Sequence, residues 1–171
     1  MTSYAALRVV AWYRHDAGYI DNVLGSRTYP TSGITQSNAE YAKKNYNSVD
    51  TVGGRMALGI DLNDSWTIRP TLMIQSQVAN GSFAQQSNIG EWKTEQYNRE
   101  YSKDQWYQAA LTIEGKLSDW DVTYAGGYFE RHTSNQTDYS YYTVAYDGGS
   151  HQGGFYYTYF PTGDGGFLDP T

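Results

Sequence analysis

The chain of 171 residues has no cysteine. That excludes a disulfide framework and thiolate metal sites, and leaves the redox compartment open. No apolar run approaches the roughly 18 residues of a membrane helix, so residence in a bilayer would have to be through strands. Basic residues are few, 12 Lys and Arg against 18 Asp and Glu for a net charge of −6. No basic stripe is present that could displace counterions from phosphates, which excludes nucleic acid as a partner. Gly-x-Ser-x-Gly, Ser-x-x-Lys, P-loop and post-strand Gly-x-Gly-x-x-Gly patterns are also lacking, so no catalytic, cofactor or metal residue is assigned and the chain is not read as an enzyme. Met1-Thr2-Ser3-Tyr4 leads directly into a strand pattern without a basic and then apolar export segment. The expectation is therefore a processed chain or an internal fragment.

What is abundant is glycine and tyrosine, 18 of each, at a mean hydropathy of −0.67. Leu and Ile are sparse, as expected when every second strand position faces water. Alternation is clear in five places. Ala5, Leu7, Val9, Ala11 and Tyr13 oppose Arg8, Val10, Trp12 and Arg14. From Val52 to Leu62 the apolar set is Val52, Met56, Leu58, Ile60 and Leu62. Trp66, Ile68, Leu72 and Ile74 follow, with Pro70 predicting a local irregularity. Trp106 to Leu117 places Tyr107, Ala109, Leu111 and Ile113 opposite Gln108, Thr112, Glu114 and Lys116, and Trp120 to about Glu130 places Val122, Tyr124 and Tyr128 outward.

Two tight turns, Leu62-Asn63-Asp64-Ser65 and Leu117-Ser118-Asp119, alternate with long polar connections over 16–50 and about 78–103, and everything after His132 reads as loop. Arms of about ten residues, with short turns at one side and long loops at the other, are the marks of an outer-membrane barrel. The expected fold is thus all-β: an antiparallel up-and-down meander of about five or more strands, forming a partial transmembrane barrel with short periplasmic turns and long extracellular loops. A soluble β-sandwich would show turn signals every 8 to 12 residues instead.

Tyr4, Trp66 and Trp120 each open an outgoing strand and are expected to form one aromatic girdle, with Trp12, Tyr13, Trp106 and Tyr107 starting the second. His15, His132 and His151 lack metal-ligand spacing and read as solvated histidines. Asp16, Asp21 and Asp50 could gather round a cation only weakly, without an Asp-x-Asp-x-Asp-Gly register. Glu114 and Asp121 face inward by alternation and suit a wet lumen. The candidate ligand-binding set is Arg8, Arg14, Arg55 and Arg69 on the inward face, able to hold an anionic group. To these are added Tyr139, Tyr141, Tyr142, Tyr146, Tyr156 and Tyr157 in the last loop, whose rings offer stacking area and a hydrogen-bonding tip.

The runs Ala6-Leu7-Arg8-Val9-Val10-Ala11-Trp12-Tyr13-Arg14-His15-Asp16-Ala17-Gly18-Tyr19-Ile20-Asp21-Asn22, Gly53-Gly54-Arg55-Met56-Ala57-Leu58, Trp66-Thr67-Ile68-Arg69-Pro70-Thr71-Leu72 and Ala109-Ala110-Leu111-Thr112-Ile113-Glu114-Gly115-Lys116-Leu117 resemble the barrel of TonB-dependent outer-membrane receptors. The resemblance covers nearly the whole of residues 1–171 and implies a fragment from the N-terminal half of such a barrel. It implies bacterial outer-membrane location, lipid as surroundings, and uptake of a scarce small ligand: siderophore iron, vitamin B12, haem or carbohydrate. Contact with the TonB complex would run through a plug domain that this sequence does not include, and the four arginines would then pair with plug carboxylates. A soluble β-rich carbohydrate-binding module and a porin-type barrel are the alternatives.

Overall fold

The computed structural model describes residues 4–29, 33–140 and 143. Nine strands are present among them: β1 (Ala5–Asp16), β2 (Asp21–Asn22), β3 (Ser26–Thr28), β4 (Thr35–Ser37), β5 (Val49–Asn63), β6 (Trp66–Asn80), β7 (Lys93–Thr94), β8 (Tyr101–Leu117) and β9 (Trp120–Gln136). The protein is all-β and mostly antiparallel. Its main sheet is a five-stranded meander in the order β1-β5-β6-β8-β9. The small pairs β3–β4, antiparallel, and β2–β7, parallel, belong to the connections.

The described residues divide into two compact units. The sheet unit comprises residues 4–15, 49–78 and 103–134, and the connection unit residues 16–29, 33–48, 79–102, 135–140 and 143. Two two-residue turns, Asp64-Ser65 and Ser118-Asp119, join β5 to β6 and β8 to β9. Asn63 caps the first by accepting the Ser65 N–H at 2.9 Å, and Ser118 turns the second with φ of 57°. Tight turns of this length fix antiparallel register, so the alternation read in one strand sets the face of the next.

β6 runs unbroken through Pro70, where the sequence predicted an irregularity. The proline φ near −65° lies within the broad β region, so a single ring costs the ladder one donor without bending the strand. The strands are also longer than the apolar alternation. β8 begins at Tyr101 and β9 continues to Gln136, so the segment after His132 starts as strand. Its residues there are polar on both faces, which removes the alternation signal while leaving backbone pairing intact.

The sheet has no conventional core. Every hydrophobic side chain buried among the described residues, Ile20, Tyr29 and Tyr97, lies in the connection unit. On the sheet, large rings cover glycines instead: a Cβ on Gly53 would stand 2.3 Å from the Trp12 indole and one on Gly115 2.2 Å from that of Trp66. These strand glycines make room for a neighbouring ring to lie flat on the sheet.

Candidate functional site

One face of the sheet is apolar and exposed. Leu7, Val9, Tyr13, Val52, Met56, Leu62, Leu72, Ile74, Leu111, Leu117, Trp120, Val122, Tyr124 and Tyr128 all carry it, at alternating positions of their strands. On the opposite face the strands expose few large hydrophobics among the described residues, Val10 and Phe129, with Tyr4 just before β1. Aromatic residues bracket the aliphatic band. Trp66 and Trp120 stand at the turn end of the strands, and Tyr13, Tyr107 and Tyr128 near the other. Trp120 and Tyr128 are eight positions apart on β9. That is about 27 Å along the strand, or about 20 Å of depth at a ~40° tilt, of the order of the ~25 Å apolar band of outer-membrane barrels.

The phenols of the second row are each given an acceptor. Tyr13 donates to Asp50 Oδ1 at 2.9 Å, and His15 Nδ1 lies 2.7 Å from the same oxygen. Across the sheet, Tyr107 and Tyr128 both donate to Glu130 Oε2, at 2.6 and 2.8 Å, while His132 Nε2 lies 2.7 Å from Glu130 Oε1. Each Tyr–carboxylate–His group thus gives an apolar ring a satisfied polar tip, the property that suits an aromatic to a boundary between oil and water. Beside the second group a groove of 540 Å³ is lined by Val52, Ile74, Ser76, Tyr107 and His132.

Not every residue expected in the two girdles lies on the apolar face. Trp106 packs on Phe129, with ring centroids 5.8 Å apart, whereas its neighbour Tyr107 packs on Tyr128 at 5.9 Å. Adjacent strand residues point to opposite faces, so Trp106 and Tyr107 belong to different rows. Trp12 likewise lies on the polar face, over Gly53. Tyr4 precedes β1 and falls in register with Arg8 rather than Leu7.

The opposite face carries the charges. Arg69 pairs with Glu114. Arg131 makes a bidentate contact with Asp104, at 2.8 and 2.7 Å, the planar fork that guanidinium and carboxylate favour. Lys116 lies 3.8 Å from Asp121. Arg8 and Arg55 line a smaller hollow of 170 Å³ with Val10, Trp12 and Ala57. Arg14 lies on this face by alternation. The four predicted arginines therefore share a face, but Arg69 is already occupied by a carboxylate of its own sheet.

The connection unit is held by buried amides. Asn22, Asn38 and Asn47 are among its most buried side chains. Asn22 donates to the carbonyls of Tyr41 and Gln96, at 2.9 and 3.0 Å, and accepts the Gln96 N–H at 2.7 Å. Asn38 bridges Val23, Gly25 and Gln96 in the same way. Asn47 Oδ1 accepts the Tyr19 and Ile20 N–H groups, at 2.7 and 2.8 Å. A side-chain amide presents the same donor and acceptor as a peptide, so these residues supply the backbone pairing that irregular connections cannot make for themselves.

A second network ties the segment after β9 to the segment before β8. Asp138 accepts the N–H groups of Tyr97 (2.5 Å) and Ser140 (2.9 Å), the Asn98 amide (3.1 Å) and the Ser140 hydroxyl. Burial pushes its carboxyl up, but these donors together hold it below the usual carboxylate range. Glu100 Oε1 accepts the Asp138 N–H at 3.0 Å and Oε2 the Tyr46 hydroxyl at 3.2 Å. Burial dominates there and raises its carboxyl. Burial also raises the Tyr46 and Tyr97 phenols. Arg27 stacks on Tyr97, 3.9 Å from the ring centre, and burial lowers its guanidinium. Tyr46, Asn98 and Glu100 open on a cleft of 370 Å³ that Lys43 and Arg99 also line.

Tyr139 is exposed. Tyr141, Tyr142, Tyr146, Tyr156, Tyr157 and His151 lie outside the described residues. Asp21 accepts the Asn45 N–H at 2.9 Å, and Asp50 is taken by Tyr13 and His15. No group of three or more His, Asp or Glu able to hold a metal occurs among the described residues. Sequence reasoning overlooked Tyr19, Phe83 and Trp92, which meet on the surface of the connection unit. They come from two separate connections without periodicity, so no spacing signal exists for them. Comparison with family models, curated proteins and solved structures gives no match for this chain.

Proposed function

We propose that the sheet is part of the wall of a bacterial outer-membrane β-barrel of the TonB-dependent receptor kind, with its apolar face in lipid and its charged face toward the lumen. The observation that carries this reading is the sidedness of the sheet. It buries no hydrophobic side chain among the described residues, yet displays a continuous aliphatic band edged by aromatic rows on one face only. In water such a surface would far exceed the apolar patches that soluble monomers expose. In hydrocarbon it needs no covering.

The barrel reading assigns the rest of the chain. Five strands leave edges at β1 and β9, whose unpaired N–H and C=O groups hydrocarbon cannot satisfy, so further strands complete the wall. The short turns are periplasmic and the long loops extracellular. The receptor takes up a scarce ligand such as a siderophore, vitamin B12, haem or a carbohydrate, with energy from the TonB complex through a plug. Arg8 and Arg55, beside Trp12, meet acidic groups of that plug.

The test is sedimentation and far-UV circular dichroism of the full 171-residue chain, refolded with and without lauryldimethylamine oxide micelles. The expected result is β structure in a defined particle only with micelles and aggregation without them. A monodisperse β-rich monomer in plain buffer would contradict the barrel and favour the soluble alternative.

A further inference from the structure

Tyr19, Phe83 and Trp92 form an exposed aromatic cluster in the connection unit. Tyr19 meets Trp92 edge-on, with centroids 5.4 Å apart and planes at 81°, and meets Phe83 at 6.4 Å and 56°. Tyr19, Phe83 and Trp92 are each about half exposed as residues, at 50%, 53% and 53%.

The cluster is held in place from beneath. Asn47, itself 1% exposed, fixes the Tyr19 N–H. The Trp92 N–H donates to Gln85 Oε1 at 2.9 Å, and the Trp92 carbonyl accepts the Asp21 N–H at 2.9 Å. These bonds keep Trp92 in the left-handed region, at φ of 55°, a conformation that a bulky side chain rarely adopts. A strained backbone persists only where its surroundings over-determine it, and such strain concentrates at ligand sites. Here it serves no core, since the residue it displays is about half exposed.

The chemistry around the rings selects the ligand. Cation–ring contacts among the described residues involve Arg27 with Tyr29 and Tyr97, and Arg99 with Tyr101. None covers this trio. The three ring faces carry no charge of their own, and the carboxylate of Asp21, whose N–H meets the Trp92 carbonyl, is bound to the Asn45 N–H. An uncharged ligand with a flat C–H face and hydroxyls at its edge meets ring faces without desolvating an ion. From these observations we infer that Tyr19, Phe83 and Trp92 form a saccharide-binding platform, on which a pyranose ring stacks. The inference is carried by the connection unit alone and does not rest on the sheet lying in lipid.

The test titrates maltoheptaose, cellohexaose and laminarihexaose into the full chain, with 2,3-dihydroxybenzoate as a flat acidic comparison, followed by tryptophan emission and calorimetry. Lauryldimethylamine oxide is the detergent because it carries no sugar headgroup. If the chain is monodisperse without detergent, the titration is run in plain buffer, so failure of the barrel reading leaves this test intact. At least one oligosaccharide is expected to bind saturably. Trp92→Gly, which removes the ring and relieves the backbone, is expected to weaken it at least tenfold without lowering the unfolding midpoint. Phe83→Ala, in an unstrained segment, is expected to weaken binding severalfold and covers the case in which Trp92→Gly fails to fold. Absence of binding by all three sugars, binding unchanged in these variants, or response to dihydroxybenzoate alone would overturn the proposal.

Discussion

Leu7, Val9, Met56, Leu72 and Leu111 stand exposed on the sheet, whereas in the connection unit the most buried side chains include Asn22, Asn38, Asn47 and Thr94. One unit turns its aliphatic residues outward and the other turns its amides inward. Hydrophobic burial against water accounts for neither arrangement. On the proposed barrel reading the sheet lies in an apolar surrounding, where its cohesion rests on ladder hydrogen bonds and its aliphatic face needs no covering. The connections need a complete internal set of hydrogen bonds, because long irregular segments strand backbone groups that a small core of Ile20, Tyr29 and Tyr97 does not protect. The two units should therefore fail under different substitutions and different solvents.

The largest effect is expected from Asp138→Ala. It strips the acceptor from Tyr97, Asn98 and Ser140 together and should destabilise the connection unit by about 3 kcal/mol or more, since several donors are left unpaired. Hydrogen exchange should show lost protection at residues 95–100 with the strand amides of β5 and β6 unaffected. Equal loss in both units would break the distinction. Leu111→Arg acts on the other side: a charge on the face proposed to meet lipid should cost about 2–4 kcal/mol at mid-depth, read as a poorer yield of the micelle-dependent β form, with protection of the connection amides retained. Unchanged refolding would show the register of the apolar face to be wrong.

Acidity sharpens the comparison within the connection unit. Asp138 has a lowered carboxyl, so its stabilisation is present above the unfolded value and is lost as pH falls through the folded one. Glu100 is raised, so its contribution is present below the unfolded value and is lost as pH rises through the folded one. Stability of this unit should then peak between the two, on the acid side of neutrality. Glu100→Gln should remove the decline on the alkaline side of the peak and leave the acid limb; a pH profile identical to wild type would refute the assignment. The smallest effect is expected from Arg69→Gln. Its pairing with Glu114 is about half exposed on both sides, and loss of such a pair costs under about 1 kcal/mol. A larger loss in urea or thermal unfolding would mean that the charged face is more deeply shielded than the side chains indicate.

The strands were legible where one face is aliphatic. Ala5 to Arg14 and Val52 to Leu62 fall within β1 and β5 because period-two alternation records a boundary between two environments. Beyond that boundary the signal stops while the strand continues, as at Tyr101–Gln105 and Arg131–Gln136, where both faces are polar. Trp106-Tyr107 shows a different limit, for aromatic content alone placed both in one girdle and only the alternation separates them. The connections were legible as loops and no further. Asn22 and Gln96 are 74 positions apart, and nothing local distinguishes a buried bridging asparagine from a solvated one. The predicted tyrosine surface rested mainly on residues outside those described, whereas Tyr19, Phe83 and Trp92 become a cluster only once two connections are folded together.

The central claim, that sheet and connections face different solvents, is tested most directly by fluorescence of two single-tryptophan variants in detergent micelles. In each, four of the five tryptophans are replaced by Phe, leaving Trp120 or Trp92 alone. Doxyl groups placed on the detergent chains should quench Trp120 strongly and Trp92 weakly, while aqueous iodide should show the reverse order. Equal quenching of both residues by iodide, with neither responding to the doxyl probe, would contradict the account.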